Sequence, residues 1–189
     1  MKLKNILLAG TAALALFSCN DYLDVDAPSA SSDEFVYSQE SEIERALNGV
    51  YAQALVGDLY GSSYLGSFQF NSDVDIAISS SSSHAHNTYS RFDCDDQGGE
   101  IYKYWVASYR LIEYANRFIR GLENSPLYST SNSEVMQWLG EAKCLRAMAY
   151  HDLVVLFGDV PFTMQPSTEE GSDFIPPVTD RETIQQTII

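Results

Sequence analysis

The residue with the clearest chemical assignment is Cys19. Lys2 and Lys4 open the chain, a near-continuous apolar run follows from Ile6 to Phe17, and the small Ser18 precedes the cysteine. The run is too short to span a bilayer, which takes roughly 20 residues. A positive start, a short apolar stretch and a small residue before a cysteine mark a bacterial secretory signal that ends at a lipidation site. The expectation is cleavage before Cys19 and acylation of its thiol, which would tether the mature chain to a membrane by its first residue.

Other groups that do chemistry elsewhere do not assemble into a reaction here. Asp73 and Asp75 are paired carboxylates, and Asp93, Asp95 and Asp96 form a cluster. Glycoside hydrolysis needs two carboxylates facing across a cleft, and neighbouring acids in a polar stretch read as solvated. The Asp93–Glu100 segment lacks the alternating oxygen ligands of a calcium loop. His84 and His86 are two apart with no third ligand nearby, and His151 reads as a structural residue of a helix. No catalytic residue, metal or cofactor is assigned, and the chain reads as a non-enzyme.

The net charge of −15, from 11 basic and 26 acidic side chains, argues against nucleic acid as a partner. Loss of Lys2 and Lys4 with the signal removes two positive charges and takes it to −17. No Lys/Arg run forms a phosphate-binding stripe. Beyond Cys19 there are two cysteines, Cys94 and Cys144, too few for a disulfide framework. Cys144 reads as a small apolar packing residue of a helix. Whether it pairs with Cys94 is open at this level.

The elements that must position any site are helical. Ile43, Ala46, Leu47, Val50, Tyr51, Ala54 and Leu55 form one stripe and predict a helix over Ser41–Val56. Ser41 and Glu44 have capping-box spacing, and Gly57 is expected to end the helix. A short helix near Tyr64–Val74 and a long polar loop over Ser79–Gly99 are expected next; loops of that length are usually functional or mobile. Ile101, Tyr104, Trp105, Ser108, Ile112, Ala115, Ile119 and Leu122 predict a second helix over Glu100–Glu123, widened by Tyr109, Asn116 and Phe118. A third is predicted over Ser133–Phe157, with Leu139, Ala142, Leu145, Ala149, Leu153 and Leu156 or Phe157 inward and Gly158 just past its end. Asp159–Thr179 reads as an irregular connection. Thr179 or Asp180 then caps a helix carrying Ile184 and Ile188. That helix has no stop signal before Ile189, so the chain is expected to be part of a larger domain. No clean period-two strand appears. The fold class is all-α, in tetratricopeptide-like helical hairpins with long irregular loops. The expected division is a signal at 1–18, a lipidated N-terminus and linker at 19–40, and a helical domain at 41–189.

Three blocks give the chain a family resemblance. They are Ser18–Ser29 (SCNDYLDVDAPS), Trp105–Asn116 (WVASYRLIEYAN) and Glu141–Phe162 (EAKCLRAMAYHDLVVLFGDVPF). In this order they resemble the SusD/RagB family of outer-membrane nutrient-binding lipoproteins from Bacteroidetes. Members are usually more than twice as long, so the chain resembles their N-terminal portion. The resemblance implies a cell-surface lipoprotein that captures an oligosaccharide and hands it to a SusC-like TonB-dependent transporter. Peptide capture, as in some relatives, and an envelope scaffold without a small ligand are the alternative readings.

Sugar recognition needs aromatic faces for C–H-rich ring faces and forked polar groups for hydroxyls. The family places part of its glycan site on loops of this region. Asn87, Tyr89 and Arg91 lie within five residues, and an extended backbone would set all three on one side. They are the candidate glycan-binding residues. Within the third block, Arg146 sits among apolar residues at a helix centre and reads as a packing pin rather than a ligand contact.

Overall fold

The computed structural model describes residues 32–61, 99–167 and 175–188. The described residues from Asp33 onward belong to one compact unit. The first element, α1 (Asp33–Val36), is a single acidic turn that leads into α2 (Glu40–Ala54). Ile43, Leu47, Val50 and Ala54 of α2 are buried, as their 3.6-residue spacing requires. Tyr51 and Leu55 mark the edge of the stripe and are exposed. The expected capping box does not form. The helix starts one residue before Ser41, and its N-cap is Gln39, with no side-chain cap bond. Gly57 does not close the helix either. It opens a kinked turn, Gly57–Gly61, in which Leu59 leaves helical geometry and is fully buried.

α3 (Gly99–Glu123) and α4 (Ser133–Phe157) are 25 residues each and form the central hairpin. Their contacts run in opposite chain directions: Tyr104 meets Asp152, Asn116 meets Arg146, and Glu123 meets Lys143. The pair is therefore antiparallel. Tyr104, Ser108, Ile112, Ala115, Ile119 and Leu122 of the predicted α3 stripe are buried, with Ala107 and Leu111 added to it. α4 has the predicted bounds, and Leu139, Ala142, Leu145, Ala149 and Leu153 face inward. Leu156 and Phe157 are only partly buried against the core. Ala115, Ala142 and Ala149 are fully buried, and small residues let the two backbones approach closely. Asn132 caps α4 by accepting from the backbone N–H groups of Glu134 and Val135. Gly158 caps its other end at φ 77°.

Two corrections fall on α4. Cys144 does not pack as a small core residue; it is exposed, because it lies on the face opposite Ala142 and Leu145. His151 is exposed as well and holds no structural position in the core.

The connection after α4 contains a minimal sheet. β1 (Val160–Pro161) pairs antiparallel with β2 (Val178–Thr179), Val160 opposite Thr179. Two residues per strand are too few to leave a period-two signal. The ladder brings α5 (Arg181–Ile188) back onto α4. Asp180 caps α5 by accepting from the Thr183 N–H at 2.8 Å, and Asp159 accepts from the Arg181 N–H. Ile184 is fully buried. α2 packs against both helices of the hairpin, so the core is enclosed by three helices and the α5 return. No helix among the described residues is long and apolar enough to cross a membrane.

Candidate functional site

Beyond Gly158 the chain turns back and runs along the α3–α4 hairpin as the segment 160–167, where a polar network holds it. The Tyr150 hydroxyl donates to the Thr163 carbonyl at 2.8 Å and accepts from the Thr163 N–H at 3.0 Å. Tyr109 donates to the Pro161 carbonyl at 2.7 Å. Buried Asn116 donates through Nδ2 to the Gln165 carbonyl, while its Oδ1 accepts from Arg146 Nη1 at 2.8 Å. Arg146 also reaches the Met164 carbonyl. Arg146 is thus a packing pin, as its surroundings in the sequence imply. Its partners are neutral oxygens, not the carboxylates of another element. Burial pulls its guanidinium below the ordinary arginine range.

A second cluster closes the end of the segment. Glu113 accepts from the Ser167 N–H and hydroxyl and from Arg117 Nε at 2.6 Å. Burial pushes the Glu113 carboxyl up, but these donors outweigh it and hold it below its usual range. Arg120 donates to the Gln165 side-chain oxygen.

The network makes one wall of a cleft of about 650 Å³ between α1 and the C-terminal end of α3. Asp33 and Glu34 line one side, Arg117 and Arg120 the other. Tyr37 lies over Gly121 so closely that a Cβ there would sit 2.1 Å from its ring. Its ring meets Phe118 edge-on at 6.2 Å. Ser125 donates its hydroxyl to the Tyr37 carbonyl, and burial raises the Tyr37 phenol to about 12. Such a cleft offers hydrogen bonds and charge of both signs. Among the described residues, no group of three His, Cys, Asp or Glu side chains is placed to hold a metal.

A third polar cluster joins the kinked turn to the hairpin. Tyr60 and Tyr104 both donate to Asp152 Oδ2, at 2.7 and 3.2 Å. Tyr60 is pushed up by burial, and its bond to the carboxylate adds to that. Sequence spacing does not show this cluster, whose members are 48 and 92 residues apart. Only the helical phase of Tyr104 and Asp152 hints that each faces a neighbour.

Cys19, Asn87, Tyr89 and Arg91 lie outside the described residues, as do Asp73, Asp75, Asp93, Asp95, Asp96, His84, His86 and Cys94. So does the helix expected near Tyr64–Val74. Asn116 and Arg146, both in the blocks that carry the resemblance, are brought together across 30 residues.

Comparison with known proteins follows the same lines. SusD-like protein P25 of Formosa agariphila is 25% identical over 196 residues, covering 100% of this chain and 36% of its own length. SusD-like protein P2 of the same organism is 25% identical over 79% of the chain and 29% of its own length. The chain thus spans about a third of the relatives it matches. A crystal structure of a SusD homolog from Bacteroides thetaiotaomicron superposes with a TM-score of 0.69 at 21% identity, over 89% of this chain and 31% of that one. A SusD superfamily protein from Bacteroides vulgatus superposes at 0.68 and 16% identity, over 80% and 33%. These two likenesses establish the tetratricopeptide-like helical fold as that of the N-terminal portion of such proteins. The SusD-like family, described as starch-binding and associating with the outer membrane, matches residues 21–189. The chain belongs to the SusD-like family.

Proposed function

We propose that the protein is a cell-surface lipoprotein, anchored in the outer membrane through Cys19, that captures oligosaccharides and delivers them to a SusC-like TonB-dependent transporter. It binds and does not catalyse. The observation that carries this reading is the family match over residues 21–189. The signal-like Met1–Cys19 segment supports the anchor. The helical hairpin is the scaffold, and the chain between the Gly57–Gly61 turn and α3 supplies the glycan-facing residues Asn87, Tyr89 and Arg91. A stacking ring between two hydrogen-bonding arms suits a pyranose face and its hydroxyls.

Calorimetry with a panel of neutral and acidic oligosaccharides tests the reading on the full-length protein. Tyr89→Ala is expected to weaken binding by about fivefold, the loss of one stacking contact of about 1 kcal/mol, with the melting temperature nearly unchanged. Unaltered affinity removes Tyr89 from the site. Binding of peptides in place of every glycan moves the function to peptide uptake. Failure to co-purify with a TonB-dependent transporter, with no ligand bound, moves it to an envelope scaffold.

A further inference from the structure

The cleft between α1 and the C-terminal end of α3 has no part in the reading above. Its volume of about 650 Å³ lies within the range of small-molecule sites. Its lining is held in place by the rest of the fold. Pro166 is buried, and the residues on either side of it are tied down, Gln165 by Asn116 and Ser167 by Glu113. Tyr37 rests on Gly121, and its carbonyl accepts from the Ser125 hydroxyl. Walls set before a ligand arrives reduce the ordering cost of binding.

The cations of the cleft are already occupied. Arg117 is paired with Glu113 at 2.6 Å, and Arg120 is engaged by Gln165. The capacity left over is of another kind. Among the described residues, the side chains of Asp33, Glu34 and Asn124 make no hydrogen bond or ion pair, yet all three line the cleft. The Asn124 N–H donates to the Arg120 carbonyl at 3.1 Å, which fixes the backbone of Asn124 at the end of α3 and leaves its side-chain amide for an incoming group. Two carboxylates can accept, and one amide can both donate and accept. Tyr37, Pro126 and Pro166 add apolar surface. Planar forked groups beside apolar surface are complementary to the vicinal hydroxyls and C–H-rich faces of a pyranose. An anionic ligand would meet Asp33 and Glu34 at close range. A small cation would satisfy those carboxylates but use neither the amide donors nor the apolar surface.

We infer that this cleft is a second saccharide site, which takes one end of a neutral oligosaccharide through Asp33, Glu34 and Asn124. It uses none of Asn87, Tyr89 and Arg91. The choice of a saccharide over other neutral polyols rests on the glycan reading above; the assignment of the cleft residues does not.

The test is an NMR titration of the full chain in detergent, following the backbone amide signals and the Asn124 side-chain amide. The probes are maltotriose, cellotriose and mannotriose, with ethylammonium chloride and sodium acetate as charged controls. At least one trisaccharide is expected to shift the signals of Tyr37, Gly121 and Asn124, and neither control is. Asn124→Ala and Asp33→Ala should each weaken that binding by about fivefold, the loss of one hydrogen-bonding side chain. Both residues are exposed, so both variants should melt like the parent. Tyr89→Ala should leave the cleft shifts in place. Cleft signals that stay silent with all three trisaccharides overturn the inference. An equal response to ethylammonium also overturns it and assigns the cleft to cations. So does an affinity unchanged in both cleft variants. Trisaccharide binding that Tyr89→Ala removes, with the cleft silent throughout, leaves the proposed function standing and this site refuted. Cleft binding that survives while Tyr89→Ala changes nothing upholds this site and removes Tyr89 from the glycan-binding residues.

Discussion

At the scale of single residues, Asn116 ties the return segment to both helices of the hairpin. Its amide is 1% exposed, and it joins Arg146 of α4 to the Gln165 carbonyl. Removing one partner of a buried polar set leaves the others desolvated without compensation, at about 1–3 kcal/mol. Asn116→Ala is therefore expected to lower stability by that amount in urea unfolding, with an unchanged m-value. Glu113 provides a pH signature. Its folded-state pKa lies below the ordinary carboxylate value because Ser167 and Arg117 donate to it. A depressed carboxylate contributes stability that is present above the unfolded pKa of about 4.5 and is lost as pH falls through the folded value. Acid titration should release Ser167 only once the pH falls below the ordinary carboxylate range, seen as a shift of its backbone amide signal. Glu113→Gln should abolish that pH dependence. Neither residue is identifiable from spacing alone. Asn116 sits on a predicted apolar stripe, and nothing local shows that it meets Arg146 across the hairpin.

At the scale of elements, two glycines and one cap set the geometry. Gly121 is the position on α3 where Tyr37 descends onto the helix, and a Cβ there would overlap the ring at 2.1 Å. Overpacking of this kind costs about 1–3 kcal/mol. Gly121→Ala is expected to lose that much in thermal or chemical unfolding. Adding Tyr37→Ala should recover part of the Gly121→Ala penalty, because the clash partner is gone; strict additivity would show that the two do not meet. Gly158 turns α4 into β1 at φ 77° and ψ −125°, a combination strained for any side chain. Its place after a helix was legible from composition. The helix ends show where local rules stop being sufficient. Asn132 caps α4 through two backbone N–H groups, whereas the Ser41–Glu44 pair has cap spacing and caps nothing. The turn around Tyr37 and Ser38 delivers the chain to α2 one residue early, so Ser41 lies inside the helix. Tertiary placement of the entry turn overrides the local preference.

At the scale of the whole molecule, the proposed membrane anchor makes a prediction of its own. The proposed attachment rests on one thiol, that of Cys19. Cys19→Ala is expected to shift the protein from the membrane to the soluble fraction and to remove the lipid mass from it. Each buried methylene contributes about 0.8 kcal/mol, so several acyl chains hold stably and their loss leaves no comparable anchor. Retention of Cys19→Ala in the membrane fraction, with no lipid on the parent protein, would refute the anchor.

The sequence by itself determined the helical class, the ends of α3 to within a residue, the bounds of α4 and most of the buried faces of both. Apolar residues at 3.6-residue spacing encode burial locally, and long periodic segments leave little choice of phase. The blocks Ser18–Ser29, Trp105–Asn116 and Glu141–Phe162 together indicated the family that the match over residues 21–189 establishes. Tertiary structure alone decided the pairings. Asn116 with Arg146, Tyr60 and Tyr104 with Asp152, and β1 with β2 are separated by 17 to 92 residues, and periodicity carries no record of which faces meet. It also decided that Cys144 and His151 face solvent. Those outcomes depend on which side of each helix the neighbouring helix covers, a property of the packed assembly and not of any single segment.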